Sequence, residues 1–143
     1  MSGAPIGRSE KLYSPGLLAL AASLADYPLK GDFALRSEGR SRTCGSTIAV
    51  GLEAGEEGRV ARVGMQVAAC AVGQSSAAIL AGGLAGRTRA DLVEATRGIE
   101  AWAEGMGELP DWPGIEALAP ARDHPGRHGA LLMPWKAALD ALS

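Results

Sequence analysis

The sequence predicts an α+β fold: a small antiparallel sheet with helices packed on one side. Three observations carry that prediction. Ile48, Val50 and Leu52 alternate with smaller residues, and Val63, Met65 and Val67 do the same after Ala54-Gly55-Glu56-Glu57-Gly58, so two period-two arms read as one hairpin. Helical signals flank the hairpin on both sides in the chain. With 143 residues and 47% hydrophobic content, the chain has the size and apolar material for one ordinary core. Residues 1–13 are expected to form a loose polar arm, and 14–143 a single domain.

The first helical signal is Ser14-Pro15, an N-cap followed by proline at the first helical position, leading into an apolar run that ends before Pro28. Phe33-Ala34-Leu35-Arg36 reads as a short strand, and Gly39-Arg40-Ser41 as a loop. After the hairpin, an alanine-rich helix is expected over Gln74 to Leu84, weakened by Gly82-Gly83 at about 1 kcal/mol per glycine. Thr88-Arg89-Ala90-Asp91 resembles a capping box and starts a helix through Trp102. Four prolines break the stretch from Gly105 to Arg127, with one helical turn expected at Ile115 to Leu118. A last helix, Ala130 to Leu142, puts Leu131, Leu132, Trp135, Leu139 and Leu142 on one face, with Pro134 as a kink point.

Composition excludes some functions. A net charge of -2 with both signs interspersed supplies no basic stripe for phosphates, so nucleic acid is not expected as the main partner. The apolar run around Leu17 to Leu24 is far short of the roughly 20 residues that cross a bilayer, and the first residues do not show the charged-apolar-small pattern of a signal peptide, so membrane residence is not expected. A cytoplasmic location is the resulting expectation. There, a cysteine pair is more often a metal or redox site than a structural disulfide.

The chain has two cysteines, Cys44 and Cys70, and each stands where a hairpin arm meets a turn. In an antiparallel hairpin both lie at its open end. Their sulfurs are then expected within reach of one metal, roughly 4 Å apart in a tetrahedral zinc site. Cys70 precedes a helix whose unpaired first amides favour an anion, which makes it the better nucleophile of the two. Gly45 leaves the neighbourhood of Cys44 open. Two thiols do not fill a zinc or iron-sulfur site, and the candidate further ligands are His128 and His124, then Asp123 and Asp32. The alternative is a pair of cysteines buried in an unliganded core.

From Cys44 to Trp135 the arrangement resembles the U-type iron-sulfur cluster assembly scaffolds, the IscU, NifU N-terminal and SufU family. Cys44-Gly45-Ser46-Thr47-Ile48 resembles that family's Cys-Gly-Asp before a strand, with serine in place of aspartate. Cys70-Ala71-Val72-Gly73-Gln74-Ser75-Ser76-Ala77 resembles the SufU-like second cysteine and its Ser/Ala-rich helix. Asp26-Tyr27-Pro28-Leu29-Lys30-Gly31 is similar to the segment after the family's first helix, and Gly105 to Arg127 to the SufU-like insertion. Pro125-Gly126-Arg127-His128 through Trp135-Lys136-Ala137-Ala138-Leu139 resembles the SufU-like ending. By those anchors the family's third cysteine falls at Ala130, or at Gly129 with a one-residue slip.

The resemblance implies a SufE/NifU-like fold and a non-enzymatic scaffold-like protein that binds iron or an iron-sulfur cluster through Cys44 and Cys70; His128, a candidate from the residues alone, is the expected replacement ligand. Its implied partners are a cysteine desulfurase and apo iron-sulfur acceptor proteins. A SufU-like zinc protein that accepts persulfide sulfur is the second implication. A module that kept the fold and lost the site is the third.

Overall fold

The structure, a computed structural model, describes residues 14–42 and 45–143. The arm expected at 1–13 lies outside the described residues. Helix α1 (Pro15–Ala22) starts as its sequence demands, with the Leu17 amide donating to Ser14 Oγ at 3.1 Å, and runs into a 3-10 turn at Ser23–Asp26. Strands β1 (Leu35–Arg40), β2 (Thr47–Ala54) and β3 (Val60–Ala68) form an antiparallel sheet in the order β1-β2-β3. Helices α2 (Ala71–Leu84), α3 (Arg89–Ala103) and α4 (His128–Ala141) follow, with 3-10 segments Ile115–Asp123 and Pro125–Arg127 before α4. This is the expected α+β architecture.

One sheet face carries Ile48, Val50 and Leu52 opposite Val67, Met65 and Val63, and packs against the helices. On the other face Gly51 and Gly64 stand opposite each other. They are glycines because a Cβ at Gly51 would lie 2.5 Å from the Phe33 ring, and one at Gly64 would lie 2.6 Å from the Pro28 carbonyl. The segment from Tyr27 to Phe33 thus crosses that face as a strap, tied where the Met65 amide donates to the Tyr27 carbonyl at 2.8 Å.

Several boundaries differ from the sequence expectation. The first strand begins at Leu35, not Phe33, because the Phe33 ring is used on the glycine pair. It also continues through Gly39 and Arg40, which read as loop. Gly39 belongs in the strand because a Cβ there would lie 3.2 Å from Ala137 Cβ, so the missing side chain is what lets α4 approach the sheet. Helix α2 starts three residues earlier than expected, at Ala71. The single turn expected at Ile115 to Leu118 is nine residues of 3-10 helix, with Ile115, Leu118 and Ala121 buried.

Two buried tryptophans centre the helical layer. Trp135 and Trp112 meet edge to face, with centroids 4.9 Å apart and planes at 73°. Trp135 Nε1 donates to Ser76 Oγ at 2.9 Å, and that hydroxyl donates to the Leu131 carbonyl at 2.6 Å. Trp112 Nε1 donates to the Ile79 carbonyl at 2.8 Å. Among the described residues every buried side-chain polar atom has a partner. Ser76→Ala orphans the Trp135 N–H, so a loss of about 2 kcal/mol is expected in urea denaturation, read as a lower midpoint with unchanged slope. The box that starts α3 is complete: Asp91 N donates to Thr88 Oγ1 at 3.2 Å and Thr88 N to Asp91 Oδ2 at 3.0 Å. The Thr88 backbone hydrogen bond holds the Asp91 carboxyl below the usual aspartate range. Its contribution to stability is therefore present above that range and fades as pH falls through the lowered value.

Candidate functional site

The open end of the β2–β3 hairpin gathers the sequence's candidates. Thr47 pairs with Ala68, the last pair of the ladder, so Ser46 and Ala69 leave β2 and β3 at the same end of the hairpin. Cys70 is the N-cap of α2, in extended conformation, and its side chain makes no capping hydrogen bond. It is half-buried. The turn from β3 into α2 is pinned where Gln74 Nε2 donates to the Ala69 carbonyl at 3.0 Å and Gln74 N to the Cys70 carbonyl at 2.9 Å. By helix geometry the amides just after Cys70 have no partner inside α2, so the thiol adjoins a partly positive helix end.

On the other side of the hairpin mouth, the loop between β1 and β2 is closed by its backbone. Ser41 N donates to the Ser46 carbonyl at 2.8 Å and Gly45 N to the Ser41 carbonyl at 3.1 Å. Gly45 sits at φ 70°, the left-handed region that glycine occupies without strain. Ser41 and Ser46 are buried, each 4% exposed. Cys44 lies outside the described residues, between Arg42 and Gly45 of this loop. The described ends of this loop, Ser41 and Ser46, and the helix start that carries Cys70 therefore flank one hairpin end.

The third ligand position of the resemblance falls on α4. Ala130 is fully buried and lies against the first turn of α2: a Cβ at Gly73 would lie 3.3 Å from Ala130 Cβ and 2.8 Å from Ala69 Cβ. Gly73 follows Cys70 by three residues, one helical turn on the same side. The start of α4 thus packs beside the Cys70 end of α2, and the residue it presents there is a methyl. Neither the bare Gly73 nor the contact it permits had a signal in the hydrophobic pattern.

His128 opens α4, half-buried, with Nε2 3.1 Å from both the Ala121 and the Arg122 carbonyls. Two acceptors require a proton on Nε2, which leaves Nδ1 as the lone-pair nitrogen of the neutral ring. A second ring nitrogen bonded to a backbone carbonyl is the usual support of a metal-ligating histidine. His124 caps the short 3-10 turn before α4. Asp123 and Asp32 are exposed, and the Asp32 carbonyl accepts from Arg62 at 3.0 Å. Among the described residues no three of His, Cys, Asp and Glu are gathered to hold a metal.

No family model matches the sequence, and no curated protein matches it. Solved structures do. One is a nitrogen-fixing NifU-like protein (N-terminal) from Brucella abortus, 25% identical, with a TM-score of 0.86 over 94% of each chain. Another is a putative iron-sulfur cluster assembly scaffold protein for the SUF system from Fervidobacterium islandicum, 20% identical, with a TM-score of 0.81 over 94% of this chain and 99% of that one. At these identities the likeness is one of fold, and it spans nearly the whole chain.

Proposed function

We propose that this chain, which has the fold of the U-type iron-sulfur cluster assembly scaffolds, acts as a non-enzymatic, scaffold-like carrier in the cytoplasm, with iron or an iron-sulfur cluster as cargo on Cys44 and Cys70. The observation that carries the reading is the convergence at one hairpin mouth of the Ser41 to Ser46 loop, the α2 N-terminus at Cys70, and the start of α4. A cluster takes four ligands. Ser46 is a poor ligand at neutral pH and Ala130 is none, so this chain supplies an open half-site, with His128 Nδ1 as candidate third donor. Weak, exchangeable ligation suits a protein that must release what it assembles.

Sulfur reaches such a site from a cysteine desulfurase. The Cys70 thiolate attacks the outer sulfur of the partner's persulfide, a persulfide forms on Cys70, and the partner's cysteine leaves as thiolate, so no oxidant is consumed. An external dithiol reductant then releases that sulfur as sulfide, itself becoming a disulfide and supplying the two electrons, iron joins the sulfide, and the cargo passes to an apo acceptor protein. A second reading stops after the first step: a zinc-dependent sulfur-transfer protein. It is favoured by the place of Cys70 at a helix N-terminus with an uncapped side chain.

Anaerobic reconstitution with iron and sulfide tests the scaffold reading, and intact mass after incubation with desulfurase and cysteine tests the transfer reading. Wild type is expected to develop cluster absorption and to gain one sulfur. Cys70→Ser is expected to lose both. A Cys70→Ser variant that keeps both results contradicts either chemistry, and a wild type that gives neither leaves only a binding module.

A further inference from the structure

A groove of about 420 Å³ runs between the end of β1 with its following turn and the outer side of α4. Its lining charge opposes that of the whole chain: Arg40, Arg42 and Lys136 face it, against one carboxylate, Asp140, in a protein of net charge -2. Leu132 supplies apolar surface between the cations. Arg40 and Arg42 are exposed. Lys136 meets Glu100 at 3.5 Å, but both side chains are well exposed, at 58% and 41%, and such pairs contribute little. Its ammonium is available to a better-placed anion.

The groove starts at an open sheet edge, beside Gly39 and Arg40 at the end of β1. Strand β1 is at the end of the sheet order, with no strand on its outer side among the described residues, and an unpaired edge is a template for an added strand. Candidates from the chain itself do not complement it. Residues 1–13 contain Arg8 and Lys11 against Glu10, and a second copy would set the same cations against each other.

We propose that this groove binds an extended, acidic and apolar segment of a partner protein, paired at the Gly39-Arg40 end of β1 with its carboxylates on Arg40, Arg42 and Lys136. Main-chain pairing with the edge supplies affinity, and alternate side chains supply selectivity. The groove ends at Arg42 and Gly129, each one or two residues from Cys44 and Ala130 in the chain. A segment seated there brings its protein to the hairpin mouth, whichever chemistry the thiols perform.

Fluorescence anisotropy with the full chain tests this, using a labelled peptide of alternating glutamate and valine. Its lysine-valine counterpart and a version N-methylated at alternate residues serve as competitors. The acidic peptide is expected to bind and to weaken with salt, and Arg42→Glu and Lys136→Glu to reduce affinity about tenfold or more. Arg97→Glu, an exposed charge on α3 outside the groove, is expected to leave it unchanged. Absence of binding, equal competition by the lysine peptide, or an equal loss in Arg97→Glu overturns the site. Undiminished competition by the N-methylated peptide overturns the edge-strand mode.

Discussion

Gly83→Ala is expected to destabilise the protein by about 2 kcal/mol, whereas Gly82→Ala, one residue earlier in the same helix, stabilises it by up to about 1 kcal/mol. Helix propensity alone predicts a gain at both. The difference is Trp112, whose ring occupies the space of the missing side chain: a Cβ at Gly83 would lie 2.7 Å from its Cε2, while one at Gly82 meets only Tyr27 Oη at 3.6 Å. Trp112 cannot yield without loss. Moving it breaks the bond to the Ile79 carbonyl, the edge-to-face contact with Trp135, and the position of Arg87, whose guanidinium lies 4.2 Å from the ring centroid. Denaturant midpoints decide this, and a stabilised Gly83→Ala contradicts the packing account.

On the proposed scaffold function, Ala130→Cys is expected to retain about one cluster per chain through desalting where wild type retains less, with a further gain on adding Ser46→Asp. The position is set by packing. Ala130 lies against the bare Gly73, one helical turn from Cys70, so a thiol there enters the neighbourhood of the existing one. Adding a sulfur atom to a buried site costs about 1 kcal/mol of overpacking, which the fold must absorb. Thermal denaturation of the apo variant checks that. Gly129→Cys, at the half-buried neighbouring residue, tests the other register. Folded variants that retain no more iron than wild type contradict the placement of the missing ligand.

Local rules were enough for several elements. Ser14-Pro15, the β2–β3 alternation and the Thr88 to Asp91 box each act over a few residues, and each forms where the sequence places it. What the sequence hid depends on partners far along the chain. Gly39 reads as a loop residue until α4 is seen pressed against it, and Gly82-Gly83 reads as a weak helix until Trp112 is placed. The 3-10 segment at Ile115–Asp123 is invisible to a 3.6-residue period, and Pro120 within it argues against an α-helix.

The site divides in the same way. That Cys70 would stand at a helix start was legible from the change of period after it, and antiparallel pairing brings the chain on either side of the hairpin to one mouth. That His128 would use Nε2 on two backbone carbonyls was not, since those acceptors belong to an irregular segment. The burial of Ala130 against Gly73 likewise arises only when α2 and α4 pack.

The central claim is that Cys44 and Cys70 form one site, and a dithiol-selective arsenical tests it without metal or partner. Phenylarsine oxide condenses with two thiols of one molecule, releasing water, and the cyclic product survives desalting, whereas a single thiol gives a labile adduct. Intact mass of the wild type is predicted to show one stable phenylarsine, absent from both Cys44→Ser and Cys70→Ser. A wild type that keeps two titratable thiols yet forms no stable adduct, or single variants that form it equally well, would contradict a shared site.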